Sequence, residues 1–163
     1  MIYFIAILLI IAFLETIIIL YINFQQNKIP QELPQDLKGA INDLRGLNKE
    51  NVLKKVYTIL AEKYKGNRIK TYTRCYQLFN FNLEKLWNQK GFMYCTAINY
   101  IFKIILLNSG FKAKDIRLKW TQIWYMTPHQ YLQIRINEEW INIDVWSVFL
   151  GTKFGDYSHG LYF

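Results

Sequence analysis

The sequence predicts an α+β domain carried behind one N-terminal transmembrane helix. Three observations give that class. Residues 2–24 are a near-continuous apolar run. Apolar residues recur at helical spacing from 52 to 64 and cover every helical face from 95 to 107. Three later segments, between 115 and 146, alternate apolar and polar residues instead. Helices first and an antiparallel meander afterwards is the chain order of an α+β fold, with a central helix packed on an antiparallel sheet.

The apolar run carries one charge, Glu15. At about 1.5 Å per residue it reaches roughly 30–35 Å as a helix, enough to cross a bilayer. A carboxylate at mid-membrane is costly, so Glu15 is expected to be neutral, paired or at a helix–helix contact. A secretory signal peptide is the competing reading. It fits less well, because no basic region precedes the run, the run is long, and no small-x-small cleavage site follows it. The preferred reading is an uncleaved single-pass anchor at 1–24. Lys28, Lys38 and Arg45 follow the run and no basic residue precedes it. That charge bias favours a cytoplasmic domain on only three charges, and the side of the membrane stays open.

All 20 basic residues and 11 of the 12 acidic ones follow the anchor, leaving the remainder at +9. Such a charge is drawn to anionic lipid or to nucleic acid. No basic stripe or binding motif supports nucleic acid, so a solvated basic surface is expected and nucleic acid is not. Two cysteines and two histidines allow one disulfide at most and give no metal-ligand spacing. Neither metal nor cofactor is expected.

Residues 25–47 hold two of the three prolines and many polar side chains, and read as a stalk with a helical turn near 37–44. The domain is then expected at 48–163. Asn48 caps an amphipathic helix in which Val52, Val56, Ile59, Leu60 and Tyr64 share a face, with Gly66 ending it. Residues 69–81 give no clear period. A short helix is expected at 83–87. From Cys95 to Leu107 apolar residues occur on every face, which marks a central buried helix; Ser109-Gly110 ends it. Strands are expected at 115–125, 129–136 and 139–146. The tail, 147–163, reads as loop with at most one short strand.

The last hairpin fixes its own register. Leu132, Ile134 and Ile136 share one face of the first strand, and Ile141, Ile143 and Val145 one face of the second. A one-residue slip would expose one set, so both must face the core together. That requires an even turn, Asn137-Glu138, with Ile134 opposite Ile141 and Leu132 opposite Ile143. The other face then puts His129 opposite Trp146 and diagonal to Asp144. Diagonal neighbours are roughly 7–8 Å apart at the backbone, within side-chain reach.

A cysteine at a helix start, a histidine early in a strand and an aspartate on the next strand suit one chemistry. First-turn N–H groups and the helix dipole favour a thiolate at Cys95. His129 would take the thiol proton and return it to a leaving group, while Asp144 would fix the imidazole tautomer. The backbone N–H of Cys95 is a natural oxyanion donor. Against this, a cysteine heading an apolar helix is commonly a small core residue. His159, in the tail beside Asp156, is a rival base that no strand register orders. Cys75, among Thr, Tyr and Arg, reads as structural, or as a disulfide partner in an oxidising compartment.

The segments "WNQKGFMYCTAINYIFKIILLNSGFKAKDI" and "TPHQYLQIRINEEWINIDVW" resemble the core of the transglutaminase-like superfamily, thiol enzymes of papain-like fold. The similarity runs over about 48–147. It rests on Gly91, Cys95, the exit "LLNSGFKAK", His129 and the run from Trp140 to Asp144. It departs from that pattern at Gln130-Tyr131 and at Val145-Trp146. The resemblance implies a Cys95–His129–Asp144 triad acting on a peptide or protein substrate through a thioester. It also offers Gln89, six residues before Cys95, as an oxyanion donor, with Trp87 as the other choice. Hydrolysis of peptide or amide bonds is the leading expectation. The alternatives are a catalytically silent, membrane-tethered domain binding peptide or glycan, and acyl transfer to an amine.

Overall fold

The computed structural model of the chain describes residues 2–124 and 127–160. It divides into two units, Met1–Gln31 and Glu32–Phe163. The first holds α1 (Ile2–Gln26). Most of its large side chains point outward: Tyr3, Phe4, Phe13, Leu20 and Phe24 are between 62% and 86% exposed, while Ile22 is buried. The Thr16 hydroxyl donates to Ala12 O at 2.8 Å, which satisfies it within the helix. One helix near the N-terminus is therefore long and apolar enough to cross a membrane, a signature that signal sequences share.

The second unit is α+β. It opens with α2 (Gln35–Asn42), which buries Leu37 and Ile41 and is followed by buried Leu44. The stalk expected at 25–47 thus gives way early to folded structure. Its polar composition hides three apolar residues at helical spacing, and these join the core. Next come α3 (Lys49–Lys63) and the two-residue strand β1 (Tyr64–Lys65). Asn48 Oδ1 caps α3 by accepting from Asn51 N at 2.9 Å, as the sequence suggested. Gly66 does not end the helix. A Cβ there would lie 2.3 Å from Trp146 O and 2.4 Å from the Phe149 ring, so glycine serves a close approach of two segments.

The unassigned stretch 69–81 forms α4 (Arg68–Thr73) and a 3-10 turn, Cys75–Phe79, neither of which buries a residue. Then follow α5 (Leu83–Asn88), β2 (Gly91–Phe92) and α6 (Cys95–Asn108). β2 pairs in parallel with β1. The Tyr64 hydroxyl donates to Leu86 O at 3.0 Å, fixing α5 against this pair. Eleven of the 14 residues of α6 are buried, on all its faces, as a central helix requires. Gly110, at φ +89°, closes it.

The sheet is antiparallel, in the order β3 (Ile116–Ile123), β4 (Thr127–Ile136), β5 (Glu139–Ile143). Tyr125, the expected end of the first strand, lies outside the described residues. The hairpin register is the one the hydrophobic pattern demanded, Leu132 facing Ile143 and Ile134 facing Ile141. Asn137 and Glu138 both take positive φ, 50° and 70°, as a two-residue hairpin turn does. α6 packs across β4 and against α3. β5 stops at Ile143, three residues before the expected end, and the chain turns into a 3-10 helix, Trp146–Leu150.

Candidate active site

α6 enters the site uncapped. Asn48, Asn67 and Asn82 accept hydrogen bonds at the starts of α3, α4 and α5, but Tyr94 makes no such side-chain bond at the start of α6. The first-turn N–H groups at Cys95 therefore face no capping oxygen of their own N-cap residue. Cys95 is 8% exposed and its thiol is free.

β4 carries His129, paired across β3 with Thr121. Its Nε2 donates to Asp144 Oδ2 at 2.8 Å, and both side chains are 1% exposed. With Nε2 so engaged, Nδ1 is the ring nitrogen left over, and Cys95 is near enough for its sulfur to act on the charge of the imidazole. Burial opposes the charged imidazole. The Asp144 carboxylate and the sulfur of Cys95 outweigh it and raise His129 to about 10. The buried carboxylate is satisfied by two further donors: Ser158 N at 3.0 Å on Oδ2 and Ser147 N at 3.3 Å on Oδ1. Two of the three residues singled out from the sequence, His129 and Asp144, are thus bonded to each other, though β5 ends before Trp146 can stand opposite His129 in the ladder. The bond from Ser147 N to Asp144 Oδ1, with the i, i+3 spacing of a helix cap, turns the chain out of the strand.

The turn brings Trp146 over the site from another direction. Its ring centroid lies 5.0 Å from that of His129, and Phe149 packs edge-on against it at 5.0 Å. The tail folds back as well. Gly160 pairs with Ile123, Gly155 pairs with Asn142, and Tyr157 stacks on Tyr131 at 4.2 Å. Ser147 and Ser158 are positioning residues that the sequence did not reveal. Ser158 acts through its backbone N–H and leaves no side-chain signature. The spacing of Asp144 and Ser147 was the available signal for the other.

Gln89 is engaged elsewhere. Its Nε2 donates to Phe92 O at 2.5 Å and so holds the turn into β2. Trp87, the other oxyanion choice, is buried in the core cluster, with Lys63 Nζ 3.6 Å from its ring centroid. His159 is exposed, its Nδ1 3.3 Å from Tyr157 O. Cys75 is an exposed free thiol at the start of the 3-10 turn, not a core residue. Tyr94 links the two cysteine segments: its hydroxyl donates to Thr71 O. Burial pushes that hydroxyl up to about 12, helped by the nearby sulfurs of Cys75 and Cys95.

Comparison with family models, curated proteins and solved structures finds no match to the chain.

Proposed function

We propose that the chain is a membrane-anchored thiol enzyme, with a papain-like core of the transglutaminase-like type, that hydrolyses peptide or amide bonds. The observation that carries this is the buried 2.8 Å contact between His129 Nε2 and Asp144, with Cys95 near enough for its sulfur to favour the charged imidazole. In the reading proposed, the Cys95 thiolate attacks the substrate carbonyl carbon. The tetrahedral oxyanion accepts from the Cys95 backbone N–H at the uncapped start of α6. Collapse breaks the C–N bond, and the departing amine takes the proton held by His129. Water, deprotonated by His129, then cleaves the thioester and releases the acid and the free thiol. Asp144 keeps Nε2 protonated, so that Nδ1 faces the sulfur. Gln89, whose Nε2 also donates to Phe92 O, is the side chain proposed to assist the backbone in holding the oxyanion. An amine in place of water would make the same acyl-enzyme a cross-linking one.

A second reading has its own observation. Cys95, His129 and Asp144 are all buried, with Trp146 over His129 and the tail bonded to Asp144, which suits a closed fold that binds peptide or glycan without turnover. Labelling by a thiol-directed electrophile separates the two. Cys95→Ala is expected to abolish labelling at the site, while Cys75→Ala lowers only the background from the exposed thiol. Cys95 modified no faster than Cys75 in the native chain would reject the enzyme.

A further inference from the structure

We propose that residues 68–79, α4 and the 3-10 turn after it, form a docking face for an anionic lipid surface. No residue of either element is buried. Ile69, Tyr72, Tyr76 and Phe79 recur at intervals of three and four residues. They are 72%, 58%, 69% and 49% exposed, four large apolar side chains open to solvent within eleven residues. Exposed apolar side chains so concentrated mark a surface that something covers.

The charge around it says what. From residue 63 to 83 the chain holds Lys63, Lys65, Arg68, Lys70 and Arg74 and no acidic residue. Amphipathic segments that lie in the headgroup layer combine those features: basic residues for anionic headgroups, and aromatic and aliphatic side chains for the acyl boundary. Tyr is suited to that depth, having an apolar ring and a polar tip. A bilayer is also at hand, since α1 is long and apolar enough to enter one. An acidic protein partner would share the charge complementarity. It would not explain four large exposed apolar residues as simply as a lipid boundary does.

The face adjoins the candidate site. Thr71 O accepts from the Tyr94 hydroxyl, and Tyr94 is the residue before Cys95. The Tyr72 hydroxyl lies 2.8 Å from Thr127 Oγ1, at the start of the strand that carries His129. Seating this face on lipid brings the segments flanking both cysteines to the membrane surface. Substrate would then be met there. The docking itself stands whether or not Cys95 is reactive.

Cys75 offers the probe, being exposed and inside the face. The full chain, with Cys95→Ser, is labelled at Cys75 with an environment-sensitive fluorophore. It is placed in nanodiscs of phosphatidylcholine alone, or of phosphatidylcholine with about one-third phosphatidylserine. The expected result is blue-shifted emission, and quenching by brominated lipid at least twofold stronger, in the anionic discs. Lys70→Glu with Arg74→Glu should abolish that difference, and Ile69→Ser with Tyr76→Ser should weaken it. Lys112→Glu with Lys114→Glu, on another part of the basic surface, should leave it intact.

Water-like emission in both discs overturns the proposal. So does a shift induced by soluble polyglutamate that equals the anionic-lipid shift, since that assigns the face to an acidic partner. Because the labelled Cys95→Ser chain is compared with itself across lipids, the result depends on no charge or apolar variant folding, and circular dichroism matching the unsubstituted chain reports that the parent is folded. The design rests on α1 as the anchor, which retention on both discs in high salt reports separately. Salt-reversible retention on anionic discs alone would remove the anchor and keep the face.

Discussion

His129 is bonded through Nε2 to Asp144, and its neighbours decide its protonation. The carboxylate and the sulfur raise it from an ordinary 6.5 to about 10 against the opposing effect of burial. A group whose pKa is raised on folding stabilises the fold fully below its unfolded value, and that stability is lost as pH rises through the folded value. The folded chain is therefore expected to lose stability between pH 6.5 and about 10, measured as a falling urea midpoint. Asp144→Asn removes the carboxylate and should shrink that dependence. In the same variant the His129 imidazole, followed by NMR, should titrate at lower pH than in the parent. Labelling of Cys95 should slow by about 100-fold or more, because the tautomer is no longer fixed. An unchanged NMR midpoint would mean that Asp144 does not set the charge of His129.

At the scale of elements, the hairpin and α6 were legible and the tail was not, for a physical reason. A strand has a period of two and one buried face, so β4 and β5 wrote their register into Leu132, Ile134, Ile141 and Ile143. α6, apolar all round, could only be central. The segment after Asp144 has no such period. Its path is set by polar bonds to one carboxylate and by aromatic stacking, which residue spacing does not encode. Gly66 was misread in the same way: a glycine past a helix suggests a cap, but here it admits the turn that holds Trp146. Gly66→Ala puts a methyl group 2.3 Å from Trp146 O, and the backbone must move to relieve it. The expected cost is about 1–3 kcal/mol in urea unfolding. Slower labelling at Cys95 should accompany it, since Trp146 sits on His129. Full stability in that variant would show that the two segments part freely.

For the whole molecule, the division of charge matches the division of structure. The unit Met1–Gln31 is almost wholly apolar up to Phe24 and exposes most of its large side chains, while nearly every charge belongs to Glu32–Phe163. An apolar helix with outward side chains is unfavourable in water. Burying each in lipid gains about 1.5–3 kcal/mol on the usual area scale. Two processes relieve that exposure, permanent insertion or removal as a signal sequence, and they leave different molecules behind. Retention of α1 predicts that the mature chain resists extraction by alkaline carbonate and still yields peptides from 2–24. A chain released by carbonate and lacking those peptides would identify a cleaved signal. If the anchor is retained, Cys75 reports its sidedness, because it is the exposed thiol of the described residues. A membrane-impermeant maleimide is expected to modify Cys75 only after permeabilisation, if the basic flank Lys28, Lys38 and Arg45 holds the domain in the cytoplasm. Modification in intact cells would place the domain outside. Three charges would then have been too weak a determinant of topology.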